Sequence, residues 1–347
     1  MKLSVFSTGL ALLAHVVSAI PTPTEDELVQ RAAVEKRATI TDVATTGYAT
    51  QNGGTTGGQG GTTTTVSTLA QFTAAVTNDA TARIIVVSGT ITGAVQVRVG
   101  SNKSIIGKSG AKLVGIGLYI NKSKNVIIRN LSIQKVLAGN GDAVGIQAAS
   151  NVWVDHLSLP FKSQFNAESL HSDLSSDLDH GKDYYDGLVD ITHASEWVTV
   201  SNTYFHDHFK ASLIGHSDSN GAEDTGHLHV TQHNNYWYNI GSRTPSLRFG
   251  TGHVYNSYFK NVNTGVNTRE GAQVLVQSNV FANVSKPIES ADSDDVGYAV
   301  ALDNDLGGAA NTAPAGTIST VPYSYSLLGS SKVVAAVVGV AGATLSL

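Results

Sequence analysis

The chain has 347 residues, enough to bury a sizeable core, and β domains of this length commonly form one unit. It has 35 glycines, 7 prolines, no cysteine and a formal charge of −5. These figures exclude a disulfide framework, a zinc–cysteine site and a thiol nucleophile, and they argue against nucleic acid as a partner.

In chain order, Lys2 precedes an apolar run from Leu3 to Val17 that ends in Val17-Ser18-Ala19, the pattern of a secretory signal spanning 1–19. The run is too short for a membrane span, so the chain is expected to be extracellular and not membrane-bound. Residues 20–37 are charged, contain proline and end in Lys36-Arg37, as a propeptide would. One catalytic domain is expected over 38–347. Its charge is also −5, because the basic and acidic residues of the first 37 positions cancel.

The Gly- and Thr-rich stretch from Thr39 to Thr65 lacks the lysine of a phosphate-binding loop and reads as an N-terminal cap. Leu69, Phe72, Ala75 and Val76 have helical spacing, which predicts a short amphipathic helix within 67–78. Short β-branched runs separated by Gly, Asn or Ser follow. Aligning Val126, Val152, Val198, Leu228, Val254 and Val274 gives intervals of 26, 46, 30, 26 and 20. Units that short cannot hold crossover helices, so stacked coils of parallel strands are predicted. The 46-residue interval carries an excess over 160–182, read as a loop flanking a groove, with Asp173, Asp177 and Asp179 as solvated acids. The apolar segment after Lys332 is expected to lie back over the coils.

Sequons occur at Asn102, Asn121, Asn130 and Asn283, each a possible glycosylation site if exposed. Asn130, in IIRNLSI, reads equally well as an interior stacked asparagine. His227, His229 and His233, with His206 and His208, could be a zinc set, but stacking and hydrogen bonding between coils is the preferred reading. Asp155 and His156 lack the motif of a serine triad and read as structural.

The chemistry concentrates between Asp142 and Arg248. Asp186 and Asp190 are four residues apart in DGLVD, and Asp142 lies 44 residues before Asp186, one coil with its loop. Three neighbouring carboxylates repel unless a cation lies among them, and oxygen ligands select a hard one, Ca²⁺ before Mg²⁺. Asn140 could add an amide oxygen. Lys210, Arg243 and Arg248 follow, with Arg269 a possible fourth, as a positive cluster suited to an acidic polymer.

The segments NGDAVGIQAASNVWVDH, DGLVDITHASEWVTVSNTYFHDHFKASLIG and RTPSLRFGTGHVYN, in that order, closely resemble the secreted fungal pectate lyases of polysaccharide lyase family 1. The resemblance runs from about Val66 to the C-terminus. It implies an all-β right-handed parallel β-helix with a short N-terminal helix cap and long loops flanking a substrate groove. It further implies Asp142, Asp186 and Asp190 as calcium ligands, Arg243 as catalytic base, and Lys210 and Arg248 as holders of the substrate carboxylates. The expected reaction is β-elimination on polygalacturonate by a monomeric enzyme that cuts internally. An arginine base runs against the general behaviour of guanidinium, which stays protonated, and points to an alkaline optimum. A pectin lyase acting on esterified polymer, a polygalacturonase and a non-catalytic wall-binding β-helix are the competing functions. The Asp trio and the presence of only 3 Trp argue against the first, and the basic cluster argues against the second.

Overall fold

The structure is a computed structural model, and it describes residues 38–160 and 180–347. The signal and propeptide segments and Asp173, Asp177 and Asp179 lie outside the described residues.

The parallel strands expected from the β-branched runs form a solenoid. One ten-stranded sheet runs from Thr62–Val66 through Val198 and its neighbours to Tyr298–Leu302, every adjacent pair parallel and in sequence order. A second, larger sheet is joined into one by long strands such as Lys112–Asn121 and Tyr258–Arg269, which pair at both ends with shorter neighbours. The coil repeat was legible, but two of its alignment points shift. Val198 pairs with Val230, not Leu228, and Val230 pairs with Gly252, not Val254. In a strand of period two, residues two apart face the same side, so hydrophobic pattern alone cannot separate them.

The turn between the sheets explains the recurring Asn and Ser. Asn130, His156, Asn202, Asn234, Asn256 and Ser278 each end a strand of the first sheet with φ between 47° and 55°. The backbone N–H of each of these donates to the next coil, as from Asn202 to the carbonyl of His233 at 3.1 Å. Asparagine tolerates this left-handed conformation better than most residues, which is why it marks the turn. One position on, Asn235 accepts from the Thr203 N–H at 2.9 Å, and Asn279 accepts from the Ser257 N–H at 2.9 Å. Inside the coils the rings of Phe205, Trp237, Phe259 and Phe281 stack face to face at 4.0, 5.8 and 4.4 Å, all fully buried.

The coils are covered at the N-terminal end of the core and along one flank. The predicted helix forms over Leu69–Ala75, capped by the Thr68 hydroxyl on the Gln71 N–H, and buries Phe72 with Val76 against the first strands. The Gly-rich segment packs where side chains will not fit: a Cβ on Gly58 would lie 1.9 Å from the Arg83 carbonyl. On the outside of the second sheet Leu328, Val333, Val337 and Ala341 pack on Tyr258 and Val280, as expected for a C-terminal segment lying back over the coils. That segment reaches Asn130, whose side-chain N–H₂ donates to Gly107 and Leu345 carbonyls at 2.8 and 3.0 Å. Asn130 is therefore an interior asparagine. Among the described residues no helix is long and apolar enough to cross a membrane.

Candidate active site

The expected site lies along one column of outward-facing residues on the second sheet. Val144–Gln147, Val189–Thr192, Leu213–Ile214, Ser246–Arg248 and the end of Tyr258–Arg269 lie side by side, one per coil. Asp190 is flanked by the core residues Val189 and Ile191, so alternation turns its carboxylate outward. It pairs in register with Gly145.

Asp142 and Asp190 converge on Gly187. The Asp142 Oδ1 accepts the Gly187 N–H at 2.9 Å, and the Asp190 Oδ1 accepts the Leu213 N–H at 3.0 Å. A Cβ on Gly187 would lie 2.4 Å from Asp190 Oδ1 and 2.8 Å from Asp142 Oδ1, so only glycine leaves both oxygens facing one small volume. Burial, opposed by Arg243 and the Leu213 N–H, pushes Asp190 up to about 6. Burial, then the charges of Asp190 and Asp186, raise Asp142 well above the usual carboxylate range. A buried acid and a half-buried one with raised pKa values, presenting oxygen donors only, fit a hard divalent cation, which would relieve the repulsion.

Asp186 is placed differently from its expected partners. Its Oδ1 accepts from Lys210 Nζ at 3.3 Å, and its carbonyl meets His208 Nε2 at 2.7 Å. Among the described residues no group of three acidic or histidine side chains stands ready as a metal cage. Asn140 closes a short turn two residues before Asp142.

The basic cluster assembles on the neighbouring coils. Lys210 pairs in register with Ser242, which places Arg243 one residue beyond it. The Arg243 carbonyl accepts from the Ser212 N–H at 2.7 Å. Its guanidinium has no side-chain hydrogen bond or ion pair among the described residues, yet it is close enough to lower both Asp142 and Asp190. After the cis Thr244–Pro245 bond, Arg248 lies in register with Arg269.

Several partners were not foreseen. Asp218 accepts from Arg248 Nε and lies 3.5 Å from Arg269 Nη2, while Gly215 accepts from Arg248 Nη1 at 2.8 Å. Asp183 accepts from Lys210 at 3.2 Å. Both acids lie off the strands, where no periodicity marks them. His208 had a signal in HDHFK; burial first, with Lys210 also acting against the charge, lowers it to about 4. His227, His229 and His233 reach between coils, while His206 stays within its own strand, bonded to Asp207 at 2.8 Å and stacked on Tyr204. His227 and His229 share Glu196 at 2.9 and 2.8 Å, and His233 stacks on Tyr255 at 4.9 Å. Asp155 is a buried hub that accepts from Arg129, His156 and Ser201 at 2.6, 2.7 and 2.7 Å.

Comparison with known proteins identifies the family. The pectate lyase family model matches residues 12–346. A protein of Aspergillus fumigatus named "Probable pectate lyase A" is 61% identical over 340 residues, 97% of this chain and 96% of its own. Pectate lyase B of Colletotrichum gloeosporioides is 59% identical over 315 residues, 90% and 89% of the two chains. A pectate lyase from a Bacillus species, crystallised with trigalacturonate, is 31% identical, with 86% of this chain and 98% of that one covered at a TM-score of 0.73. The parallel coils and these matches together place the chain in the pectate lyase family.

Proposed function

We propose that the chain cleaves de-esterified (1→4)-α-D-galacturonan by calcium-dependent β-elimination, leaving 4,5-unsaturated oligogalacturonides. The observation that carries this reading is Arg243: a guanidinium with no ion pair among the described residues, close enough to Asp142 and Asp190 to favour the charged form of both. The substrate carries a carboxylate on C5, beside the C4 glycosidic oxygen. Lys210 and Arg248 bind such carboxylates. Two of the Lys210 donors reach Asp183 and Asp186, and a third is free for substrate. Held at Asp142 and Asp190, with Asp186 and the Asn140 amide as further candidates, calcium would neutralise the substrate carboxylate and acidify the C5 proton. Arg243 takes that proton, the C5–H electrons form the C4–C5 double bond, and the C4–O pair leaves with the departing sugar chain. No water is consumed.

Pectate as substrate is supported by the Bacillus relative, whose structure holds trigalacturonate. An open groove on a solenoid suits internal cutting by a monomer. Secretion follows from the 1–19 segment, with the catalytic domain over 38–347. Of the sequons, Asn283 is exposed and Asn102 and Asn121 are half-buried. Absorbance of unsaturated uronides released from polygalacturonate at alkaline pH is the test. A signal that chelator abolishes and calcium restores supports the proposal, and chain cleavage without it means hydrolysis.

A further inference from the structure

The column that carries Asp190 continues for three more coils toward the N-terminal end. Asp190 pairs with Gly145, Gly145 with Tyr119, and Tyr119 with Arg98. Val97, Val99, Leu118 and Ile120 are core residues, so Arg98 and Tyr119 face outward on the same side as Asp190. At about 4.8 Å per coil, Arg98 stands roughly 14 Å from Asp190 along the groove.

The charge around Arg98 is unusual for this chain. Arg83, Arg129, Arg248 and Arg269 are ion-paired with Asp79, with Asp42 and Asp155, and, for the last two, with Asp218. Of the described arginines, only Arg243 and Arg98 make no ion pair. Arg98 is exposed, and its guanidinium lies 5.2 Å from the centre of the Tyr119 ring, a contact that orders it without neutralising it. The positions between it and Asp190 are uncharged: Tyr119 with Gln147, whose carbonyl accepts the tyrosine hydroxyl and the Asn121 amide, and Gly145. Amide and hydroxyl groups of this kind suit sugar hydroxyls, and a terminal guanidinium suits a carboxylate.

We propose that Arg98, braced by Tyr119, is a distal subsite for a uronate carboxylate, reached only by chains long enough to extend three coils from the cleavage position. The coil spacing is close to the rise per sugar of an extended pectate chain, so successive units lie over successive coils. Arg98 thereby sets a preference for polymer over short oligomers. This rests on the lyase reading above.

The test compares kcat/KM on polygalacturonate and on trigalacturonate, which is too short to span the distance, for the wild type, Arg98→Ala, Arg98→Lys and Arg98→Glu. An exposed charged contact of this kind contributes up to about a fivefold effect. The polymer-to-trimer ratio is expected to fall about three- to fivefold in Arg98→Ala, further in Arg98→Glu, and to recover in Arg98→Lys, through KM. Affinity electrophoresis through a pectate gel reads the same order without turnover. Equal falls on both substrates, or an unchanged ratio and mobility in Arg98→Glu, would overturn the subsite. Wild-type turnover of the trimer tests the lyase reading separately.

Discussion

Replacing Gly187 by alanine asks directly whether Asp142 and Asp190 hold the cation. The backbone of Gly187 is not in the left-handed region, so alanine brings no conformational strain. Its effect is steric. The added Cβ would lie 2.4 Å from Asp190 Oδ1, 2.6 Å from Asp190 Cγ and 2.8 Å from Asp142 Oδ1, all inside van der Waals contact. Neither carboxylate can yield freely, because each Oδ1 accepts a backbone N–H, at 3.0 Å from Leu213 and 2.9 Å from Gly187. Overpacking of this size costs about 1–3 kcal/mol. Charged against the bound state, that is roughly a ten- to hundredfold loss of calcium affinity. Calorimetric titration with calcium reads it, with circular dichroism to confirm the fold. Gly139→Ala is the control, since a Cβ there meets nothing within 4 Å and its φ is ordinary. Wild-type calcium affinity in Gly187→Ala would show that the ion does not sit between these two carboxylates.

Arg243→Lys should lose nearly all turnover while calorimetry shows calcium binding intact, and substantial activity would remove Arg243 from the base role. With Asp190 raised to about 6 and Asp142 raised as well, the calcium-free fold keeps protons that the unfolded chain releases near pH 4. The contribution of this pair to stability without calcium is thus full below that pH and declines as pH rises through about 6, while calcium binds the deprotonated pair. The calcium-induced gain in Tm should therefore be larger at pH 8 than at pH 5, and equal gains would contradict the assignment. Trp237→Ala removes the central ring of the buried stack and should cost about 3–5 kcal/mol in denaturant unfolding. Glycopeptide mass spectrometry should find Asn130 unmodified and Asn283 available, and a glycan on Asn130 would mean that the C-terminal segment does not cover it.

The fold was legible because a solenoid writes spatial neighbours into the sequence at nearly constant intervals. Val126, Val152 and Val198 were aligned correctly across a 46-residue interval, since the extra residues leave the strand pattern intact. Leu228 and Val254 were misplaced by two residues because period-two strands repeat their pattern at that offset. The same arithmetic put Asp142 one coil before DGLVD, and the structure places it on Gly187. What interval reasoning could not supply was side-chain direction off the strands. Asp186 precedes its strand and turns to Lys210, and Asp218 reaches Arg248 and Arg269 from a loop with no periodicity.

That loop acid bears on how a chain of formal charge −5 can belong to a family whose substrate is a polyanion. Global charge opposes such binding, so attraction has to come from positive groups left locally uncompensated. Most arginines do not qualify, since Asp79, Asp42, Asp155 and Asp218 neutralise them within the fold. Ion pairing at Arg248 also fixes its guanidinium through Nε and Nη1, leaving Nη2 as the edge a ligand can approach. Of the two arginines without an ion pair among the described residues, Arg243 is close to the Asp142–Asp190 pair and Arg98 stands at the far end of the column that carries Asp190. Exposed lysines such as Lys108, Lys112 and Lys260 also lack an ion pair among the described residues, so what distinguishes the column is not charge alone but its register with Asp190, along which successive uronates can lie.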